Sequence, residues 1–231
     1  MQVTPSSNCG QSLLQNAARG RHIGLVRVLL CRGVSATARK GFGNTTLHIA
    51  AKSGHVKGAR LLLESGADMA EADGHGCTAL SIAAEYGHIK MVRMLLSAGA
   101  DWSRTSRSMR TPIYLAASYG HVKVVKLLLQ VGADYTAANI DGWTPLHSAA
   151  AGGQVNVVKL LLRTGTDSSI TDAKGRTALQ FAAADGYVGV VNLLLQAGAD
   201  MSITDQEGRT PLAAATQNRL DYEQEAEAGS F

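Results

Sequence analysis

Six threonines, Thr45, Thr78, Thr111, Thr144, Thr177 and Thr210, open the segments TTLH, TALS, TPIY, TPLH, TALQ and TPLA, and each lies 33 residues from the next. A period of this length constrains the fold more than any single motif in the chain. Each copy is one supersecondary unit that cannot bury its apolar face alone, so neighbouring copies must stack. One period further back Ser12 takes the place of the threonine, at the head of SLLQNAARGRHIGLVRVLLCRG, which keeps the apolar pattern. Seven units are therefore expected, starting at 12, 45, 78, 111, 144, 177 and 210. An N-terminal tail over 1–11 and an acidic cap or tail over 221–231 flank an array that spans 12–220.

Within the unit 144–176 the apolar residues Leu146, Ala149 and Ala150 follow helical spacing and stop at Gly152-Gly153. A second helical stripe, Val155, Val157, Val158, Leu160, Leu161 and Leu162, ends at Thr164-Gly165. Thr144 suits the N-cap, and Pro145 suits the first turn, where a missing N–H costs nothing. Each unit thus reads as a short helix, a tight turn, a longer helix, and about ten residues rich in Gly, Asp and Asn that form an extended hairpin. The fold class is an all-α repeat solenoid with projecting hairpin loops.

The segments DGWTPLHSAAAGGQVNVVKLLLRTGTD and TPIYLAASYGHVKVVKLLLQVGAD resemble the ankyrin repeat. The resemblance runs from residue 12 to about 220 and rests on six conserved-length intervals. It implies L-shaped units whose hairpin tips and first helices form a concave side, on which partners lie, and it implies binding of other proteins as the activity. Two departures stand out. Gly58-Ala59 replaces a bulkier pair such as Val124-Val125, which predicts a weaker interface there, because glycine within a helix costs about 1 kcal/mol relative to alanine. The final unit replaces the leucine-rich second helix with LDYEQEAEAGSF, as a polar capping unit requires.

Composition narrows the chemistry. Apolar runs such as VVKLLL are far shorter than the roughly 20 residues of a membrane-spanning helix, so no insertion is expected. The first residues carry no secretory pattern. Cys9, Cys31 and Cys77 are odd in number and lack C-x-x-C spacing, which argues against disulfides or zinc and for a reducing compartment, cytoplasm or nucleus. Net charge is +4, yet the last eleven residues hold four acids and no Lys or Arg, leaving the preceding 220 residues at +8. A basic body steers acidic partners. Nothing in it offers an obvious element for a nucleic-acid groove, so nucleic acid is not the expected ligand.

The histidines follow the period. His48 and His147 occupy the fourth place of T-x-L-H, while His22, His55, His88 and His121 share one position before the second helix. In the family such histidines hydrogen-bond backbone of adjacent units, so these six are assigned structural roles. His75 and Cys77, two apart on a hairpin and near Glu85 and Tyr86, form the one arrangement that a thiolate and base would need. That gives an alternative reading, a small-molecule or catalytic site grafted on the groove. It lacks an identifiable oxyanion hole, and the primary reading contains no catalytic residue, metal or cofactor. GFGNTT has no lysine after its second glycine and is not a phosphate loop.

By the resemblance, the binding positions are four, three and one residues before the motif threonine and seven and eight after it. They place Phe42, His75, Tyr86, Arg107 and Arg110 on the partner side of the earlier units, and Tyr119, Trp143, Arg176, Asp185 and Arg209 on that of the later ones. Tyr86, Arg110, Tyr119 and Trp143 fall on consecutive units and are expected to form a patch for an acidic or aromatic-rich protein or peptide, since Arg, Tyr and Trp dominate interface energetics. A second copy of the chain is a further candidate partner. Trp102 and Tyr135, after the Ala-Asp pairs, are read as packing between hairpins. The stretch RTSRSMRT departs from the rest: Met109 stands where other units have glycine, and Ser106 where they have Asp or Asn, so that hairpin is expected to be reshaped or strained.

Overall fold

The computed structural model describes residues 8–216, and the acidic segment 221–231 lies outside them. The chain divides into two compact units, Met1–Pro112 and Ile113–Phe231. The first holds α1 (Asn8–Arg19), α2 (Ile23–Cys31), α3 (Thr46–Ser53), α4 (Val56–Glu64), α5 (Ala79–Glu85) and α6 (Ile89–Ser97). Helices α1, α3 and α5 pack in one row, α2, α4 and α6 in a second, and each odd helix packs on the even helix that follows it. The second unit holds α7 (Pro112–Ser118), which begins at the boundary, α8 (Val122–Gln130), α9 (Pro145–Ala151), α10 (Val155–Arg163), α11 (Ala178–Ala184) and α12 (Val188–Gln196). There α9 packs on α11, and α10 lies between α8 and α12. Residues 211–216 are also helical.

The period reappears as the core. Leu47 and Leu80, then Leu146 and Leu179, are almost fully buried from the first helices, and Leu62, Leu95, Leu128, Leu161 and Leu194 from the second. Each sits where its counterpart 33 residues away sits, so one set of side chains fills every layer. Gly58, where the sequence predicts a weaker interface, leaves space for a neighbouring ring. The His55 ring lies against it, and a Cβ there would collide with the ring, so the glycine makes room for the histidine. Gly58 and Ala59 are both buried.

The first helices start as the sequence dictates. The hydroxyls of Thr45, Thr78, Thr144 and Thr177 accept the N–H of the third helical residue. At Thr45, Thr144 and Thr177 the side chain of that residue returns to the N-cap N–H, completing a capping box. His48 shows why histidine suits this place. Its Nδ1 accepts from Thr45 N–H at 3.0 Å, which leaves Nε2 to donate to the Glu71 carbonyl at 3.0 Å in the following loop. His147 repeats the arrangement onto Arg176, and Gln180 onto Arg209. Burial lowers the pKa of His48 and His147, keeping both neutral in this bonded form.

The projecting loops are less extended than expected. Only β1 (Arg39–Lys40) and β2 (Asn44–Thr45) form a ladder, with Arg39 opposite Thr45, and a single bridge joins Thr171 to Thr177 among the described residues. Elsewhere a buried or half-buried Asp or Asn side chain replaces the second strand's partners. Asp73 Oδ1 accepts from His75 and Cys77 N–H, and Asn139, Asp172 and Asp205 do the same two and four residues on. Successive tips are joined by backbone bonds, Arg107 N–H to His75 O and Ala173 N–H to Asp141 O. Gly142 illustrates the spacing: with φ of 78° it lies so near the next tip that a Cβ would stand 2.6 Å from Ala173 N.

Candidate partner-binding surface

In the first unit the partner-side residues form two contiguous pairs. Phe42 is 81% exposed and its ring stacks on His75, centroids 6.3 Å apart. Lys40 stands where later hairpins have Asp or Asn, so this tip has no carboxylate to organise it and uses the β1–β2 ladder instead, with Gly41, Phe42 and Gly43 all at positive φ. A phenylalanine at φ 51° is strained, and here the strain holds an aromatic ring in solvent. Tyr86, the C-cap of α5, is exposed, stacks on His88 and has the Lys52 ammonium 5.1 Å from its ring centre. Arg107 and Arg110 are exposed on the third tip.

That third tip keeps its shape despite its sequence. Ser106 N–H donates to Arg110 O at 3.0 Å and Met109 N–H to Ser106 O at 2.9 Å, the pattern of Asp73 with Cys77 and Gly76. Ser106 Oγ takes over one of the two bonds an aspartate makes, accepting Arg110 N–H at 3.1 Å. Met109 adopts φ of 56°, the conformation glycine holds in its counterparts. The hairpin is therefore strained and not reshaped.

In the second unit Tyr119 is 55% exposed and stacks on His121. Trp143 is half-buried: its ring packs 4.3 Å from that of Phe181, and its indole N–H donates to Asp172 at 3.2 Å. Arg176 lies over Phe181 at 4.4 Å and pairs with the same Asp172 carboxylate at 2.8 Å. Arg209 pairs with Asp205 and with Glu207. The expected basic edge is thus largely neutralised within its own hairpins, and Trp143 serves the packing of its unit as well as its surface. Asp185 is exposed at the C-cap of α11. Phe181 was not among the residues singled out for binding, whereas Lys52, seven residues after Thr45, holds a binding position and meets Tyr86 there. Phe181 is the one aromatic at a place that other units give to Asn, Ile, Leu, Ser or Ala, a signal readable from the register.

A family model for ankyrin repeats (three copies) matches residues 14–106, 70–139, 105–172 and 164–224, overlapping matches that take in most of the sequence. The chain belongs to the ankyrin repeat family. Among solved structures, the ankyrin repeat fold here is similar to the crystal structure of the human ASB11 ankyrin repeat domain, with 28% identity and a TM-score of 0.82, covering 90% of this chain and 96% of that one. A search of curated proteins gives no significant match. Ankyrin repeats are generally protein–protein interaction modules and typically non-catalytic scaffolds.

Two other sets of residues in the ankyrin array bear on function. Cys77 is half-buried, and burial, with Asp73 and Glu85 nearby, pushes its thiol up to about 11, so at neutral pH it is protonated and a poor nucleophile. His75 faces solvent against Phe42. No group of three His, Cys, Asp or Glu suited to a metal occurs among the described residues, and no helix among them is long and apolar enough to cross a membrane. The histidines before the second helices do not all behave alike. His88 Nε2 bonds Lys52 O at 2.9 Å, and Gln154 substitutes in its unit with a bond to Ser118 O. His55 Nε2 is buried without a partner. Arg21, held at φ 59° where later units have glycine, sends its guanidinium to Ser53 O beside it. Tyr135 hydroxyl donates to Thr164 O, as a residue packing between loops does.

Proposed function

We propose that this ankyrin array is a non-enzymatic interaction module that binds a partner protein or peptide through its hairpin tips and first helices. The observation that carries the reading is Phe42: a bulky side chain held at positive φ and 81% exposed is costly to the free protein. Tyr86 and Tyr119, rigid and exposed, supply further anchor area at low entropic cost. The partner we assign is acidic or aromatic-rich, in keeping with Lys52, Arg107 and Arg110 on these positions and the positive net charge. The three free cysteines suit a reducing compartment, cytoplasm or nucleus.

Affinity capture from native extract tests this with Phe42→Ala and Tyr119→Ala, whose exposed side chains leave the core untouched. The expected result is loss of the same captured protein from both variants; undiminished capture by both rules the surface out. Trp143→Ala needs a thermal-melt control, because removing the ring also unpacks Phe181. Light scattering over a range of concentrations separates a foreign partner from a second copy of the chain.

A further inference from the structure

Beside Phe42 and Tyr86, the first unit contains a cavity of about 400 Å³ whose lining includes Gln15, Asn16, Arg19, Asn44, Ile49 and Lys52. Helices α1 and α3 bring the two cations to it from neighbouring repeats, and no carboxylate belongs to the lining. The Tyr86 side chain, bonded to Lys52, holds the Lys52 pKa above its ordinary value, and Arg19 is near enough to oppose that shift weakly. Glu85 is near Lys52, whose ammonium lies against the Tyr86 ring, while Arg19 makes no ion pair among the described residues. Two cations on the wall of a recess that no carboxylate lines favour an anion there. The amides of Gln15, Asn16 and Asn44 add polar groups that orient it, and Gln15 is itself 7% exposed and held by a contact to Asn44 O. Next to Gly41 and Asn44 on the rim, the Phe42–His75 stack offers an apolar platform.

We propose that this cavity is a subsite for one acidic side chain of an extended partner segment, its carboxylate seated between Arg19 and Lys52 and the neighbouring apolar side chain resting on Phe42 and His75. The proposal deepens the interaction reading above and rests on it.

Fluorescence anisotropy on the full chain tests it with end-blocked decapeptides in a Gly-Ser background. One carries a central Glu-Phe pair, the second Gln-Phe, and the third Gln-Phe with a free C-terminal carboxylate. The first is expected to bind in a salt-sensitive manner. Arg19→Gln and Lys52→Gln are each expected to weaken it about tenfold, the loss of one charge-assisted contact, while their melting temperatures stay at the wild-type value. Equal binding of the Glu and Gln peptides overturns the subsite, as does tighter binding of the free-terminus peptide or no saturable binding of any peptide at millimolar concentration. Loss of binding in Phe42→Ala but not in Arg19→Gln or Lys52→Gln removes the subsite and leaves the interaction reading standing. Binding that is indifferent to all of these variants defeats both.

Discussion

At the scale of single residues, three side chains among the described residues occupy backbone conformations that glycine fills more easily: Arg21, Phe42 and Met109. Met109 stands at a glycine position with the backbone bonds of the turn intact, so Met109→Gly is expected to raise the unfolding free energy by about 1 kcal/mol in urea denaturation. An unchanged or lower midpoint would show that the turn carries no strain. Met109 was legible because five other units show glycine in its register. Phe42 was legible only as a binding position, since its φ depends on Lys40 replacing the usual Asp or Asn and on a ladder that appears in no other hairpin described. The capping histidines make a pH prediction. Their folded pKa values lie below the ordinary 6.5, so the unfolded chain takes up more protons, and the stability they lend is full above about 6.5 and is lost as pH falls through and below it. Gln180 already makes the same two bonds without titrating, so His48→Gln is expected to keep pH 7 stability within about 1 kcal/mol and to flatten the fall in melting temperature between pH 6.5 and pH 5. An undiminished acid slope would assign the sensitivity to other groups.

At the scale of elements, helix limits were readable because their causes are local. Threonine hydroxyls, prolines at the first turn and glycines at the turns act within three or four residues, and Thr144 with Pro145 shows all of this in one helix. Thr144→Ala removes the hydroxyl that accepts His147 N–H and contacts Nδ1, so it is expected to cost about 1 to 2 kcal/mol in chemical denaturation with no change in baseline helicity. A cost near zero would mean the box is carried by the histidine alone. The hairpins were less readable. Gly and Asp runs announced the turns, but that one buried carboxylate would bind two N–H groups, and so dispense with most of the ladder, depends on the tip folding over it. At Gly58 propensity describes only an isolated helix, and the His55 ring that fills the space, from the residue just before that helix, was not anticipated. Nor was the pairing of Arg176 with Asp172 anticipated, although the two are four residues apart, because residue type alone made the arginine a surface charge.

At the scale of the molecule, the 33-residue period carried the fold class and the family, since a repeat that cannot bury itself leaves few ways to build a core. Its division into two compact units had no counterpart in the periodicity, which runs through Thr111 without a break. The surface was partly legible: register marked the exposed Phe42, Tyr86 and Tyr119, while the Arg19 and Lys52 cavity required the packing of α1 on α3. The central claim is that partners engage the tips and first helices. Its most direct test is amide hydrogen exchange of the array alone and with its captured partner. The expected result is added protection in α1, α3 and α5 and in the tips around Phe42, His75 and Arg107, with α2, α4 and α6 unchanged. Protection confined to those second helices would contradict it.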